Sequence, residues 1–242
     1  LHKYTSSKPS IIVGNLTVGG SGKTPLVIWL AKYLTAMGLK VGVVSSGYKA
    51  VLKTPVLVNE KSNPNLVGDE AVLIAKQTNS EIVSCGNRVD ATKLLLNKKA
   101  IDVIIHDDGL QHYKIARDYE IALINEHKLF GNSFLLPAGP LRESKKRLES
   151  VDFIVNNSGP TEEGEFLMNI SPSKFVHLKS GKSYNVDNWP MHNQIHAVAG
   201  LGNPGRFFDL LNKLGFEIIR HPYPDHHNFT SSDLYYLDHL PI

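Results

Sequence analysis

The chain has 242 residues, 42% hydrophobic and 20% charged, and its 26 Lys and Arg against 23 Asp and Glu give a net charge of +3. This composition is typical of a globular protein and excludes a disordered or collagen-like chain, and so balanced a charge does not indicate nucleic-acid binding. The single cysteine, Cys85, excludes a disulfide framework and a cysteine-based zinc site within the chain, which fits a reducing, cytoplasmic setting.

Strand and helix patterns alternate along the first part of the chain. A short buried strand at 11–13 is followed by apolar residues at helical spacing between 23 and 37, with Gly38 as the expected end of that helix. Further strands are predicted at 41–44, 102–106, 119–124 and 151–155, and further helices at 69–77 and 88–97. This alternation predicts parallel βαβ units, and hence an α/β fold with a mostly parallel sheet flanked by helices.

The composition changes near residue 157. The sequence Asn-Asn-Ser-Gly-Pro at 156–160, followed by several glutamates, is typical of a linker. Beyond it, 174–178 suits a strand of a connecting hairpin, and strand, turn, helix and strand follow at 195–199, 200–205, 206–214 and 216–220. We therefore expect a core domain at 1–156 and a smaller C-terminal α/β lobe at 157–242, joined by a linker or hairpin. Because the chain begins at Leu1 and stops at Ile242, we expect both ends to be incomplete.

A glycine-rich loop lies between the first strand and the first helix. Its glycines allow backbone N–H groups to surround phosphate oxygens, and the helix N-terminus adds the positive end of its dipole. Lys23 is expected to reach the β- and γ-phosphates, and the Thr24 hydroxyl to bind Mg²⁺. Thr17 stands where the usual Gly-x4-Gly-Lys-[Ser/Thr] pattern begins with glycine. The loop predicts a P-loop NTPase-like core, in which the nucleotide-binding candidates are Thr17, Val18, Gly19, Gly20, Ser21, Gly22, Lys23 and Thr24.

The apolar strand at 101–106 ends in two acids, Asp107 and Asp108. A carboxylate at such a strand end, close to a P-loop, holds Mg²⁺ directly or through water, and open α/β sheets bind ligands at the carboxyl ends of their strands. An Asp-Gly pair also suits a solvated turn. Beside the P-loop we interpret Asp108 as a magnesium ligand, with Asp107 as a neighbouring catalytic candidate.

Several motifs together resemble the tetraacyldisaccharide 4'-kinase family, the lipid A 4'-kinases. They are Val-Gly-Asn-Leu-Thr-Val-Gly-Gly-Ser-Gly-Lys-Thr-Pro at 13–25, Gly-Asp-Glu at 68–70, Asp-Asp-Gly-Leu-Gln-His at 107–112, Leu-Pro-Ala-Gly-Pro-Leu-Arg-Glu at 136–143, Ala-Gly-Leu-Gly-Asn-Pro at 199–204, Arg-Phe-Phe at 206–208 and Pro-Asp-His-His at 224–227. Thr17 supports this resemblance, because the family has Ser or Thr at that position. One difference is Ser46, where the family usually has an arginine before Gly-Tyr.

The resemblance implies an ATP-dependent kinase of lipid A biosynthesis, which transfers the γ-phosphate to the 4'-hydroxyl of an acylated glucosamine disaccharide 1-phosphate. Its implied partners are ATP, Mg²⁺, this lipid A precursor and a membrane surface, with no nucleic acid. The implied location is the cytoplasmic face of the bacterial inner membrane, in a peripheral or monotopic state. No apolar run approaches the roughly 18–20 residues of a membrane span, so we expect any anchor to be missing from this chain.

The resemblance also implies a catalytic base, Asp69 assisted by His226. A carboxylate paired with an imidazole can take the sugar proton as the oxygen attacks phosphorus. Lys23 and Asp107 complete the catalytic candidates, and Glu143 is a further candidate magnesium ligand. Asp69 equally suits a helix N-cap, and Glu143 a helix-starting acid. The basic cluster of Arg142, Lys145, Lys146 and Arg147 suits either anionic headgroups or a solvated helix face.

Two other classes of protein share parts of this pattern. The sequence Gly-Leu-Gly-Asn-Pro-Gly at 200–205 fits the dinucleotide pattern, but no acid lies about 20 residues further on at the end of a second strand. A P-loop GTPase or ATPase metallochaperone is the stronger alternative, because the chain has 11 histidines, among them His221, His226 and His227. Against it, Ala100 interrupts the guanine-reading Asn-Lys-x-Asp pattern, and no cysteine lies near those histidines.

Overall fold

The computed structural model describes residues 3–20, 22–47, 52–124, 130–157, 159–189, 193–225 and 227–234. The chain forms two compact units, Leu1–Ile170 and Ser171–Ile242. The first unit contains the P-loop and both acids at 107 and 108.

One eight-stranded sheet forms the first unit, in the order β3-β4-β2-β5-β1-β6-β7-β8. Its strands are β1 (Ser10–Asn15), β2 (Val41–Ser45), β3 (Val56–Val58), β4 (Glu81–Ser84), β5 (Val103–His106), β6 (Tyr119–Ile124), β7 (Phe153–Asn157) and β8 (Glu165–Met168). Neighbouring strands are parallel except for the edge strand β3, which is antiparallel to β4. The helices are α1 (Lys23–Ala36), α2 (Pro64–Val67), α3 (Asp69–Gln77) and α4 (Arg88–Lys98), with a 3-10 helix at Lys145–Ser150. The predicted mostly parallel α/β sheet is confirmed.

The central strands are buried on both faces, which explains their unbroken apolar sequences. On one face, α1 and α3 pack through Val27 and Ile74 against Val13 and Ile105. On the other face, α4 packs through Leu95 against a cluster from β2, β4 and β5. This arrangement brings the carboxyl ends of β1, β2 and β5 to the same edge, beside the start of α1.

Gly22 is the N-cap of α1 and has φ 93°, in the left-handed region that favours glycine. A Cβ at this position would also overlap Nδ2 of Asn157 on β7. Two independent constraints therefore require glycine immediately before Lys23.

The second unit has its own small core. Its strands are β9 (Lys174–Val176) and β10 (Ser183–Asn185), which are antiparallel, and β11 (Gln194–Ala199) and β12 (Glu217–Pro222), which are parallel; its helix is α5 (Pro204–Lys213). Phe208 and Leu211 of α5 pack on Ala197 and Ala199, and Phe216 completes the cluster. The hairpin strand and the βα unit predicted for this part of the chain are both present.

The division between the units lies at Ser171, whereas the composition suggested residue 157. Residue 157 ends β7, and β8 then pairs in parallel with β7 from Ile154↔Glu165 to Asn157↔Met168, which extends the main sheet. The segment has the composition of a linker because β8 is a short edge strand, with Phe166 and Leu167 more than half exposed. Among the described residues, none of the helices combines the length and hydrophobicity that a membrane crossing requires.

We expect Ile105→Ala to lower the free energy of unfolding by about 2–5 kcal/mol, because this fully buried side chain lies at the centre of the sheet. Equilibrium urea unfolding measures the change. Leu66→Ala is the matched control, since Leu66 is 58% exposed on α2, and we expect a change of less than about 1 kcal/mol. Equal losses in the two variants would contradict the assigned core.

Candidate active site

The loop after β1 is held in place by a second segment, residues 140–142. Thr17 forms an antiparallel bridge with Leu141, the Val18 amide donates to the Pro140 carbonyl at 3.0 Å, and the Arg142 amide donates to the Leu16 carbonyl at 2.7 Å. Thr17 does not have the positive φ of Gly19 and Gly22, so its place in the loop does not require glycine. The bridge explains how threonine fits where the usual pattern has glycine. Gly19 and Gly20 are left exposed; Ser21 lies outside the described residues.

Lys23 reaches from the start of α1 to the end of β5. Its Nζ lies 3.2 Å from Oδ1 of Asn15 and 3.6 Å from Oδ1 of Asp108. Thr24, the next residue, is buried, and it lies close enough to Glu70 to act against the rise in the pKa of that carboxylate. The lysine predicted to contact phosphate therefore faces Asp108 at the strand end, and the threonine predicted to bind the metal lies near Glu70 of α3.

Asp108 is held between two cations. Nη1 of Arg142 donates to both of its carboxylate oxygens, at 3.0 and 2.9 Å. Burial acts to raise the pKa of Asp108, but the charges of Lys23 and Arg142 outweigh it and hold the pKa below its usual value. Its φ of 51° lies in the left-handed region that aspartate tolerates better than most residues. Asp108 is thus an ionised carboxylate placed beside the P-loop lysine.

The pKa of Asp107 is shifted in the opposite direction from that of Asp108. Its side chain is buried, and burial together with the nearby Glu70 carboxylate raises its pKa from 3.8 to about 7. Its Oδ1 has no hydrogen-bond partner among the described residues. An uncompensated carboxylate oxygen in this position favours a cation or a proton.

Glu70 is a member of the site that sequence reasoning missed. Burial raises the pKa of Glu70, and the negative charges of Asp69 and Asp108 raise it further, whereas the positive charge of Lys23 lowers it. The Glu70 carboxylate therefore lies near all three side chains. The signal is the Gly-Asp-Glu motif at 68–70, in which the second acid, Glu70, directly follows the predicted base Asp69. Both acids lie in the first turn of α3.

Asp69 itself is exposed at the first position of α3, and its Oδ1 accepts a hydrogen bond from the Glu70 amide at 2.9 Å. The N-cap of this helix is Gly68, with φ 90°, so the alternative interpretation of Asp69 as the N-cap does not hold. Its predicted partner, His226, lies outside the described residues, and the Asp69–His226 pair stays a prediction.

Arg88 joins the strand ends beneath the site. Its buried guanidinium donates to the carbonyls of Val44 and Asp108, each at 3.0 Å, and to that of Asp107. Burial lowers the pKa of this arginine, and the two neighbouring aspartates oppose that effect. Arg88 therefore fixes the backbone that carries both acids.

The predicted metal ligand Glu143 has a different set of contacts. Its Oε1 accepts a hydrogen bond from the Tyr113 hydroxyl at 2.5 Å, and its Oε2 lies 3.5 Å from Nε of Arg147. Within the described part of the chain, no recorded contact joins Glu143 to Thr24 or Asp108. In this arrangement Glu143 belongs to an ionic network with Arg147 and Glu120.

The oxygen donors at the strand end suit Mg²⁺. No group of three or more Asp, Glu, His or Cys side chains among the described residues is arranged to enclose a metal. Mg²⁺ bound with a nucleotide does not need such a group, because it takes one or two carboxylates together with phosphate oxygens and water. The Thr24 hydroxyl, the ionised Asp108 and the unpaired Oδ1 of Asp107 fit that requirement.

Comparison with known proteins gives consistent matches over nearly the whole chain. Residues 1–240 match the family model described as Tetraacyldisaccharide-1-P 4'-kinase. The chain is 46% identical over 233 residues to a tetraacyldisaccharide 4'-kinase of Haemophilus influenzae, covering 96% of this chain and 69% of that protein. It is 48% identical over 235 residues to one of Ruthia magnifica, covering 97% and 74%.

A solved structure is also similar, that of LpxK from Aquifex aeolicus in complex with ATP. The TM-score is 0.78 at 32% sequence identity, and the match covers 95% of this chain and 76% of that one. The match thus covers nearly the whole of this chain and about three quarters of that one.

The raised pKa of Asp107 makes the stability of the nucleotide-free protein depend on pH. The folded state holds this proton more tightly than the unfolded chain, so the stabilisation is fully present below about pH 4 and is lost as the pH rises through about 7. We expect Asp107→Asn, which removes this titration, to gain about 1–3 kcal/mol relative to the parent between pH 5 and pH 8. Urea unfolding at the two pH values measures it. Asp209→Asn is the control, because the Asp209 side chain is mostly exposed. An equal change in unfolding free energy between pH 5 and pH 8 for both variants would disprove the raised pKa of Asp107.

Proposed function

The chain belongs to the tetraacyldisaccharide-1-P 4'-kinase family, and from this membership we propose how its residues carry out the reaction. It is an ATP-dependent kinase that transfers the γ-phosphate to the 4'-hydroxyl of tetraacyldisaccharide 1-phosphate in lipid A biosynthesis. The whole-chain family match supports this over the alternative of a metallochaperone. The observation that carries the residue assignment is the pairing of Lys23 with Asp108 at 3.6 Å.

The phosphates of ATP are bound by the loop and by two cations. The exposed Gly19 and Gly20 and the N-terminus of α1 supply backbone N–H donors, and Lys23 and Arg142 supply positive charge. The side chains of Lys23 and Arg142 are only 11% and 26% exposed, so their charges are screened less than they would be in open water. Phosphoryl transfer depends mostly on such positioning and charge, and both cations are already directed to one place.

Thr24 and Asp108 are the proposed magnesium ligands, with Asp107 and Glu70 close enough to orient them. Bound there, Mg²⁺ would neutralise charge that develops on the transferring phosphoryl group. Thr24 lies near Glu70, whose carboxylate also senses the charges of Lys23 and Asp108. Asp108 keeps its charge because Lys23 and Arg142 hold its pKa low.

Asp69 is the proposed base. Its exposed carboxylate begins α3 and adjoins Glu70, which shares the neighbourhood of Lys23 and Thr24. A carboxylate there can accept the proton of the 4'-hydroxyl as the oxygen attacks phosphorus. His226 is proposed as its assistant on the family resemblance alone.

The acylated acceptor supports an action at a membrane surface. Its acyl chains partition into a bilayer, while ATP is a water-soluble cytoplasmic metabolite. The reaction therefore takes place where the membrane meets the aqueous phase. We propose that the protein works peripherally at the cytoplasmic face of the bacterial inner membrane. The net charge of +3 gives no support for nucleic acid as a partner.

Lys23→Ala tests the phosphate-binding assignment. We expect kcat to fall about 10²–10³-fold, because a preorganised cation at the transferring phosphoryl group is lost. The assay follows radiolabel from ATP to the disaccharide 1-phosphate in detergent. Lys32→Ala is the control, since Lys32 is an exposed lysine on the same helix. Undiminished transfer by Lys23→Ala would overturn the assignment, and hydrolysis of nucleotide without any acceptor phosphorylation would favour the metallochaperone class.

Asp69→Asn separates proton abstraction from nucleotide binding. We expect kcat to fall about 10²–10⁴-fold while the KM for ATP stays unchanged, because a general base acts on the acceptor hydroxyl. Steady-state kinetics in the same detergent assay measure both parameters. Glu60→Gln, at an exposed acid outside the site, should leave both parameters unchanged. Retained kcat in a folded Asp69→Asn protein would remove Asp69 from the mechanism.

A further inference from the structure

The loop at residues 130–142 exposes three consecutive large apolar side chains. Phe134 is 62% exposed, and Leu135 and Leu136 are each 51% exposed. Single exposed hydrophobic residues are ordinary on a protein surface, but a contiguous group of them marks a site of interaction. We refer to Phe134, Leu135 and Leu136 as the apolar tip.

The backbone of the apolar tip is well ordered by its own hydrogen bonds. The Leu136 amide donates to the Leu141 carbonyl at 2.8 Å, the Leu141 amide to the Phe134 carbonyl at 3.2 Å, and the Gly139 amide to the Leu135 carbonyl at 3.0 Å. A Cβ at Gly139 would overlap the Phe134 carbonyl oxygen, so the loop closes tightly on itself. The tip therefore presents apolar side chains while the Leu136 amide and the Phe134 and Leu135 carbonyls are bonded within the loop, which lowers the cost of entering an apolar phase.

The base of the same loop is anchored in the protein. Leu141 is 1% exposed and packs in a cluster with Ile12, Leu16 and Leu110. Within the loop, side chains thus divide between a buried anchor and an exposed tip. Since residues 140–142 also bond to the P-loop, the apolar tip and the phosphate-binding backbone belong to one hydrogen-bonded assembly.

Positive charge lies beside the start of the loop that carries the apolar tip. Lys145 and Lys146 are exposed, and Nζ of Lys145 lies 4.5 Å from the ring centroid of Phe130 at the start of the loop. Neither lysine has an ion pair with another described residue, whereas Arg142 and Arg147 are engaged by Asp108 and Glu120. Exposed lysines at the start of a loop with exposed apolar side chains complement a bilayer surface that carries anionic headgroups.

We propose that the apolar tip, together with Lys145 and Lys146, is the surface on which this kinase docks to an anionic lipid bilayer. Docking by this surface brings the P-loop to the interface where an acylated acceptor resides. The proposal rests on the proposed function in one respect, that the acceptor is a membrane lipid.

Vesicle co-sedimentation of the whole chain tests the docking surface. The probes are vesicles of phosphatidylcholine alone and vesicles that also contain phosphatidylglycerol. We expect the triple variant Phe134→Ser, Leu135→Ser, Leu136→Ser to lose at least about tenfold in partitioning to both. We expect Lys145→Gln with Lys146→Gln to lose about tenfold on the anionic vesicles alone. The controls are Leu66→Ser and Lys53→Gln with Lys61→Gln, exposed residues elsewhere in the same unit, and equal losses in these controls would overturn the proposal.

A single substitution covers the case in which the triple variant does not fold. We expect Leu135→Trp to shift its fluorescence emission to the blue on addition of anionic vesicles, and Leu66→Trp to show no shift. An unshifted Leu135→Trp in a protein that sediments with the vesicles would show that another surface docks, and would overturn the proposal.

Kinase assays distinguish the bilayer from the acyl chains of the acceptor itself. In detergent the tip variants should keep the parent's kcat and KM for both substrates, and on vesicles the apparent KM for the acceptor should rise. An equal rise of that KM in detergent would assign the tip to the acceptor's acyl chains and overturn the proposal. If the parent phosphorylated no acylated disaccharide but still lost vesicle binding with the tip variants, docking would stand and the proposed function would fail.

Discussion

The site depends on the ion pairs that Asp108 makes with Lys23 and Arg142. These three side chains come from the end of β5, the start of α1 and the loop that follows residue 140, so the pairs fix the relative positions of three segments. The two cations keep Asp108 ionised against the effect of burial. Asp108 in turn offsets the repulsion between two partly desolvated cations. One positive charge remains in excess within this group, which favours the entry of phosphate.

The charge around the site is fixed because its cations are arginine and lysine. Two histidines lie close to Arg88, but burial, followed by the charge of that arginine, lowers the pKa of His106 to about 3 and that of His112 to about 4. Both imidazoles are therefore neutral at physiological pH, and neither alters the local field near neutrality. Asp107, whose pKa burial raises to about 7, does titrate near neutrality, and a divalent cation bound at the neighbouring Asp108 would favour the ionised form of Asp107.

Local patterns in the sequence predicted the strands and helices. They could not predict the contacts between side chains that are far apart in the sequence. The strand, glycine loop and helix around Lys23 were predictable, because the spacing of hydrophobic residues and the turn-forming glycines are signals that a few neighbouring residues provide. The ion pair of Arg142 with Asp108 spans 34 residues of sequence, and no local pattern specifies it. The same limit applies to the hydrogen bond of Glu143 with Tyr113, 30 residues away, while the role of Glu143 as a metal ligand stays a prediction. The boundary expected at 157 differs from the division at 171 because an exposed edge strand and a linker have similar compositions.

The loop at 130–142 has two mechanical roles because its two ends differ in burial. Its buried end, Leu141, completes the bridge that supports Thr17, and the Arg142 side chain that follows holds Asp108. Its exposed end carries Phe134 and its neighbours. Backbone hydrogen bonds inside the loop join its exposed residues to the segment that bonds the P-loop. In the proposed docking, these bonds connect the contacting surface to the P-loop. A kinase with one substrate in water and the other in a lipid phase benefits from this connection, because in-line transfer depends on how the phosphates face the acceptor hydroxyl.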